Sequence, residues 1–152
     1  MSIPRRSVVV AVLLALVQPL LPVTDAAAAA APVRITKVFY DPPGQDARDN
    51  THYNLEYVVI TNTSAKSQSL TGWTLRDKEN HVYRFSAFTL GAHKSVTVRT
   101  GKGTANATTR YYNSANYIWN NTGDTATLKT AAGKQVSACG WTTRASIGYK
   151  NC

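Results

Sequence analysis

The chain is short of acid. Against 17 Lys and Arg it carries only 8 Asp and Glu, a net charge of +9 at pH 7. It is also short of the groups that do chemistry. Its three histidines, His52, His81 and His93, fall in or beside predicted turns, on separate connections. No H-x-x-x-H or H-x-H spacing joins them and no cysteine pair lies near, so no zinc site is expected. There is no G-x-S-x-G or comparable motif. Without a nucleophile, a base and an orienting group together, no catalytic residue, no cofactor and no enzymatic activity are expected. Helical periodicity is absent beyond the first residues, which argues against an α-helical fold. Long apolar runs are absent as well, except one.

That run is at the start. Arg5 and Arg6 precede the apolar stretch Val8 to Val17, extended by Leu20 and Leu21, and small residues follow from Ala26 to Ala31. Gln18, Pro19 and Pro22 break it short of the roughly 20 apolar residues that span a bilayer. The pattern is that of a signal peptide over 1–31, with a secreted domain over 32–152 and no membrane span after cleavage. Of the charged residues, cleavage removes Arg5, Arg6 and Asp25, leaving 15 basic against 7 acidic and a net charge of +8. Such a balance suits polyanions and anionic surfaces. The remaining chain is long enough for one hydrophobic core.

Only two cysteines occur, Cys139 and Cys152, both late. In an exported chain an even count predicts a disulfide, and the spacing is not that of a redox C-x-x-C. Closing so short a loop is worth about 3 kcal/mol in the chain-entropy picture.

The body reads as strands and turns, rich in Val, Thr and Tyr. Strands are predicted over Val33–Tyr40, Leu55–Thr61, Leu70–Arg76, Val82–Phe85, Ser95–Thr100, Tyr117–Asn120, Thr125–Lys129 and Gln135–Cys139. The second of these is apolar on both faces, and so is expected to be central. Gly72 suggests a bulge or a close backbone approach. Segments 45–54 and 101–112 read as polar loops. Seven or eight short strands at this spacing mean a sandwich or a barrel. The expected core is Val58, Ile60, Trp73, Leu75, Val96, Val98, Trp119 and Leu128, with the two tryptophans facing each other from opposite sheets.

Several stretches then resemble one family, the lamin-tail domain, in a bacterial secreted form. They are Asn54-Leu55-Glu56-Tyr57-Val58-Val59-Ile60-Thr61-Asn62, Leu70-Thr71-Gly72-Trp73-Thr74-Leu75-Arg76-Asp77, Tyr83-Arg84-Phe85, and Trp119-Asn120-Asn121-Thr122-Gly123-Asp124-Thr125-Ala126, in that order. The match runs from about Val33 to Cys139. One position departs: Val59 stands where relatives often have an acid. The resemblance implies an all-β, immunoglobulin-like β-sandwich without known catalytic residues, used in relatives as an interaction module.

Three further groups bear on function. Asp41, Asp46, Asp49, Asn50, Asn54 and Glu56 concentrate oxygen ligands of the type calcium takes, though not at any established spacing. N-x-S/T triplets such as those at Asn62 and Asn106 read as turn chemistry. Arg99, Lys102, Arg110, Tyr111, Tyr112 and Tyr117 set basic and aromatic residues together along one loop, the candidate ligand-binding set. The candidate partners are an anionic envelope polymer, nucleic acid or a protein surface. The alternative is an inert structural component of the cell envelope.

Overall fold

The computed structural model describes residues 31–142 and 148–152. The proposed leader lies outside the described residues. Eleven strands and one short helix follow in the order β1 Val33–Phe39, α1 Asn50–Tyr53, β2 Tyr57–Asn62, β3 Gln68–Ser69, β4 Thr74–Arg76, β5 Val82–Arg84, β6 Thr89–Leu90, β7 Ser95–Arg99, β8 Thr109–Tyr111, β9 Asp124–Lys129, β10 Gln135–Trp141 and β11 Tyr149–Asn151. They form a five-stranded sheet, β11-β1-β2-β7-β8, and a four-stranded sheet, β10-β9-β4-β5, with β3 and β6 as a separate pair. The architecture is an immunoglobulin-like β-sandwich.

Alternation drives the packing. Val58 and Ile60 of β2, Val96 and Val98 of β7, and Leu75 and Leu128 of the other sheet are fully buried between the sheets. β2 lies between β1 and β7, central as expected. Its outward residues Tyr57, Val59 and Thr61 are half-buried.

β1 carries a register shift between Ile35 and Lys37, centred on Thr36. The extra residue reverses the phase of the pleat, since side chains alternate with period 2. Val33 and Ile35 point inward before the shift, Val38 and Tyr40 after it. Lys37 and Phe39 are thereby turned to the outer face. The Thr36 hydroxyl meets that of Thr61 at 2.9 Å, and its carbonyl accepts the Cys152 N–H at 3.0 Å.

Four expectations need correction. Trp73 is only partly buried and packs against the margin of the core. Its place in the interior is taken by Trp141, whose ring stacks on Tyr40 at 4.6 Å and whose indole N–H donates to the Asn120 carbonyl at 2.8 Å. Segment 45–54 is not all loop, because the Asp49 side chain caps α1 by accepting the His52 N–H. Segment 101–112 includes β8, which runs parallel to β7. Residues 117–120 form no strand, because the amides of Ile118, Trp119 and Asn120 are hydrogen-bonded to buried carboxylates, as described below. Gly72, at φ +78°, stands in the turn before β4, where a Cβ would lie 3.1 Å from that of Ala131.

Cys139 of β10 and Cys152, just after β11, form a disulfide with Cα atoms 5.8 Å apart. It ties the edge of one sheet to the edge of the other.

Candidate functional site

Acid residues are scarce in this chain, and the fold uses most of them internally. Four carboxylates are buried: Asp41, Glu56, Asp77 and Asp124. Glu56 is fully buried and accepts the backbone N–H of Ile118 at 3.0 Å and of Trp119 at 2.9 Å, with the Thr100 hydroxyl at 2.5 Å. That is why 117–120 does not join a ladder. Desolvation nevertheless pushes the Glu56 carboxyl up to about 8, against the pull of those donors. Asp124 accepts the N–H groups of Lys78 and Asn120 and fixes the turn before β9. Asp77 accepts the His81 N–H at 2.7 Å and meets its ring at 2.6 Å, which raises the His81 pKa.

The consequence is electrostatic. Among the described residues the only ion pairs are His52–Asp49 and His81–Asp77. No described Lys or Arg lies within salt-bridge reach of a described carboxylate. The acids left exposed among the described residues are Asp46, Asp49 and Glu79.

The five-stranded sheet concentrates this imbalance. Its strands carry Arg34, Lys37, Arg99, Arg110 and Lys150, and no acid. Cross-strand register sets Tyr149, Phe39, Tyr57, Arg99 and Tyr111 in one row across all five strands. Directly opposed residues share a face, and this face points away from the core: all five are half-buried. Phe39 stacks on Tyr57 at 5.3 Å and lies 6.0 Å from Tyr149. The Arg99 guanidinium stands 5.5 Å from the Tyr57 centroid, and the Lys37 ammonium 4.0 Å from that of Tyr149. The Tyr111 ring packs on Gly103, where a Cβ would come within 2.3 Å of it.

Next to the end of this row is a hollow of about 250 Å³, lined by Arg48, Asp49, Asn50, Tyr53, Lys102 and Ser114 among others. Asn50 and Asn54 hold its rim, both donating to the Lys102 carbonyl, at 3.0 and 2.9 Å. The ammonium of Lys102 is left exposed.

The residues singled out in the sequence thus separate. Arg99, Lys102 and Tyr111 come together. Arg99 also donates to the Asn54 carbonyl. Tyr112 instead packs against the core, its hydroxyl donating to the Leu75 carbonyl at 2.9 Å. Arg110 lies over the Phe88 ring at 4.2 Å, and Phe88 belongs to the buried cluster. Tyr117 packs edge-on to Tyr53, with its hydroxyl on the Ala47 carbonyl. Alternation along β8 separates these side chains, because neighbours in a strand face opposite ways. Lys37, Phe39, Tyr57 and Tyr149 were not legible as site residues. Only pairing between strands distant in sequence assembles them.

The presumed calcium ligands disperse. Asp41 takes the Asn121 amide, Asp49 caps α1, Asn50 and Asn54 hold Lys102, and Glu56 is buried elsewhere. Asn62, first of the N-x-S/T triplets, is buried and donates to the carbonyls of Lys66, Leu90 and Gly91. A different group, Asp77, Glu79 and His81, brings its ligand atoms within 4.8 Å of one another. Asp77 is there engaged by His81, and Glu79 by the Asn120 amide at 3.1 Å.

The family model of the lamin tail domain matches residues 26–143. The matched span ends before β11, so Tyr149 and Cys152 lie beyond it. No curated protein matches the chain.

Proposed function

The chain belongs to the lamin tail domain family, and on that footing we propose that it is an exported, non-enzymatic binding module. Its ligand is an anionic polymer, taken on the outer face of the five-stranded sheet and the adjoining Lys102 loop. One observation carries this reading: Glu56, Asp77 and Asp124 are buried as backbone anchors while the described cations have no carboxylate partners among the described residues. Cations without partners neutralise a polymer's charge and release its counterions, so affinity falls as salt rises. The disulfide suits an oxidising compartment. Among the described residues no helix is long and apolar enough to cross a membrane.

Binding to dextran sulfate tests the reading. The purified, disulfide-bonded protein should bind at low salt and release as salt rises. The pair Lys37→Gln/Arg99→Gln should weaken binding several-fold more than Lys66→Gln/Lys134→Gln, which removes equal charge from turns outside the row. Lys102→Gln should weaken it and Arg110→Gln should not. Equal losses from both pairs would mean a diffuse field and would favour the inert envelope component. No binding at any salt would end the proposal.

A further inference from the structure

The row on the five-stranded sheet has an unusual feature for an aromatic surface: its central rings, Phe39 and Tyr57, are flanked on both sides. Phe39 stands between Tyr149 and Tyr57, and Tyr57 between Phe39 and Arg99, by strand order and register. Phe39 and Tyr57 are inclined by only 25° to each other, at 5.3 Å between centroids. Rings on neighbouring strands that meet in this way stand up from the sheet and turn their edges outward. Lys37 sits over the Tyr149 ring at 4.0 Å, and Tyr111 lies on Gly103. Phe39 and Tyr57, each flanked on two sides, present no flat open platform of the kind on which a nucleobase stacks.

What the row does present is polar. The hydroxyls of Tyr57, Tyr111 and Tyr149 have no hydrogen-bond partner in the described structure, whereas those of Tyr112 and Tyr117 are committed to carbonyls. The Lys37 ammonium, held against a ring, has no acceptor among the described residues and keeps its donors for a ligand. Fixed phenols and cations alternate across about five strands, with no carboxylate on the strands that carry them. A phenol can both donate and accept, so it suits a ligand hydroxyl, while the cations suit an anionic group.

We infer that the ligand is a hydroxyl-rich polyanion, a chain of phosphate or sulfate groups spaced by polyol or sugar units, recognised by its charges and hydroxyls without ring stacking. This rests on the proposed binding face and narrows its ligand. Single-stranded nucleic acid, which such faces bind by stacking bases, is the class this geometry disfavours.

Four probes separate the outcomes: poly(glycerol phosphate), dextran sulfate, an oligothymidylate, and an abasic phosphodiester of the same length and charge. The two phosphodiesters should bind within about twofold of one another, since a stacked base is worth on the order of tenfold or more. Poly(glycerol phosphate) should bind more tightly per charge than either. The double variant Tyr57→Phe/Tyr149→Phe keeps the rings and should weaken poly(glycerol phosphate) several-fold while leaving the abasic oligomer unchanged. A preference of tenfold or more for oligothymidylate over its abasic counterpart would overturn the inference and leave the binding reading standing. An unchanged affinity in the double phenylalanine variant would overturn it too. If none of the four probes binds, dextran sulfate included, the binding reading itself falls.

Discussion

The carboxylate of Glu56 accepts the backbone N–H of Trp119 at 2.9 Å, across 63 positions of sequence. With the Ile118 N–H and the Thr100 hydroxyl it gathers the entry to β2, the exit of β7 and the connection before β9 around one buried acid. Its neighbours in the electrostatic sense are Asp124, which raises its pKa further, and those three donors, which lower it. A buried acid of this kind anchors backbone that no strand pairs.

The sign of its pH dependence follows. The Glu56 carboxyl is raised from 4.5 to about 8, so between these values the folded state holds a proton that the unfolded state has lost. Stability therefore falls as pH rises through that window, by at most about 1.4 kcal/mol per pH unit. The raised His81 pKa acts in the same direction at the upper end, its contribution being present at low pH and lost as pH rises through the folded value. Urea midpoints measured from pH 5 to pH 9 should decline up to about pH 8 and level off above it. In Glu56→Gln the decline should shrink to the His81 part, and an undiminished decline would show that Glu56 is ionised throughout.

Reduction should act locally before it acts globally. The Cys139–Cys152 bond closes a loop of 13 positions, worth about 3 kcal/mol. β11 pairs only with β1 and forms the sheet's edge. In Cys139→Ser/Cys152→Ser, amide hydrogen exchange should accelerate at Tyr149–Asn151 while β2 stays protected. Equal acceleration in both strands would mean that β11 is integral to the global fold.

The tryptophans should rank by burial. Trp119 is 1% exposed and Trp141 6%. Replacing either by Ala should cost about 3–5 kcal/mol. Trp73, at the margin, should cost less, about 1–2 kcal/mol. Chemical denaturation of the three variants checks the order, and a Trp73 variant as weak as the Trp119 variant would restore it to the core.

Alternation along β2 and β7 was written in the residues themselves, and it placed Val58, Ile60, Val96 and Val98 correctly because side-chain direction there depends only on local period. The cysteine pair was legible from its even count and the expectation of export. The family was legible from the order of its motifs, which are largely local turn and strand chemistry. β1 shows where that reading stops. A strict alternation from Val33 would put Lys37 inside, and only the bulge at Thr36, set by pairing with β2, turns Lys37 and Phe39 outward. The same holds for Glu56. Alternation sets it on the inward face with Val58 and Ile60, but what satisfies a buried acid there becomes evident only when residues 118 and 119 arrive to donate to it. The tertiary structure also decided that Tyr112 packs inward while Tyr111 stays outside, by seating β8 parallel to β7. Local propensity acts over a few residues. Which face a side chain occupies, and which charge is left without a partner, are set by contacts between segments tens of residues apart, and no short window of sequence contains them.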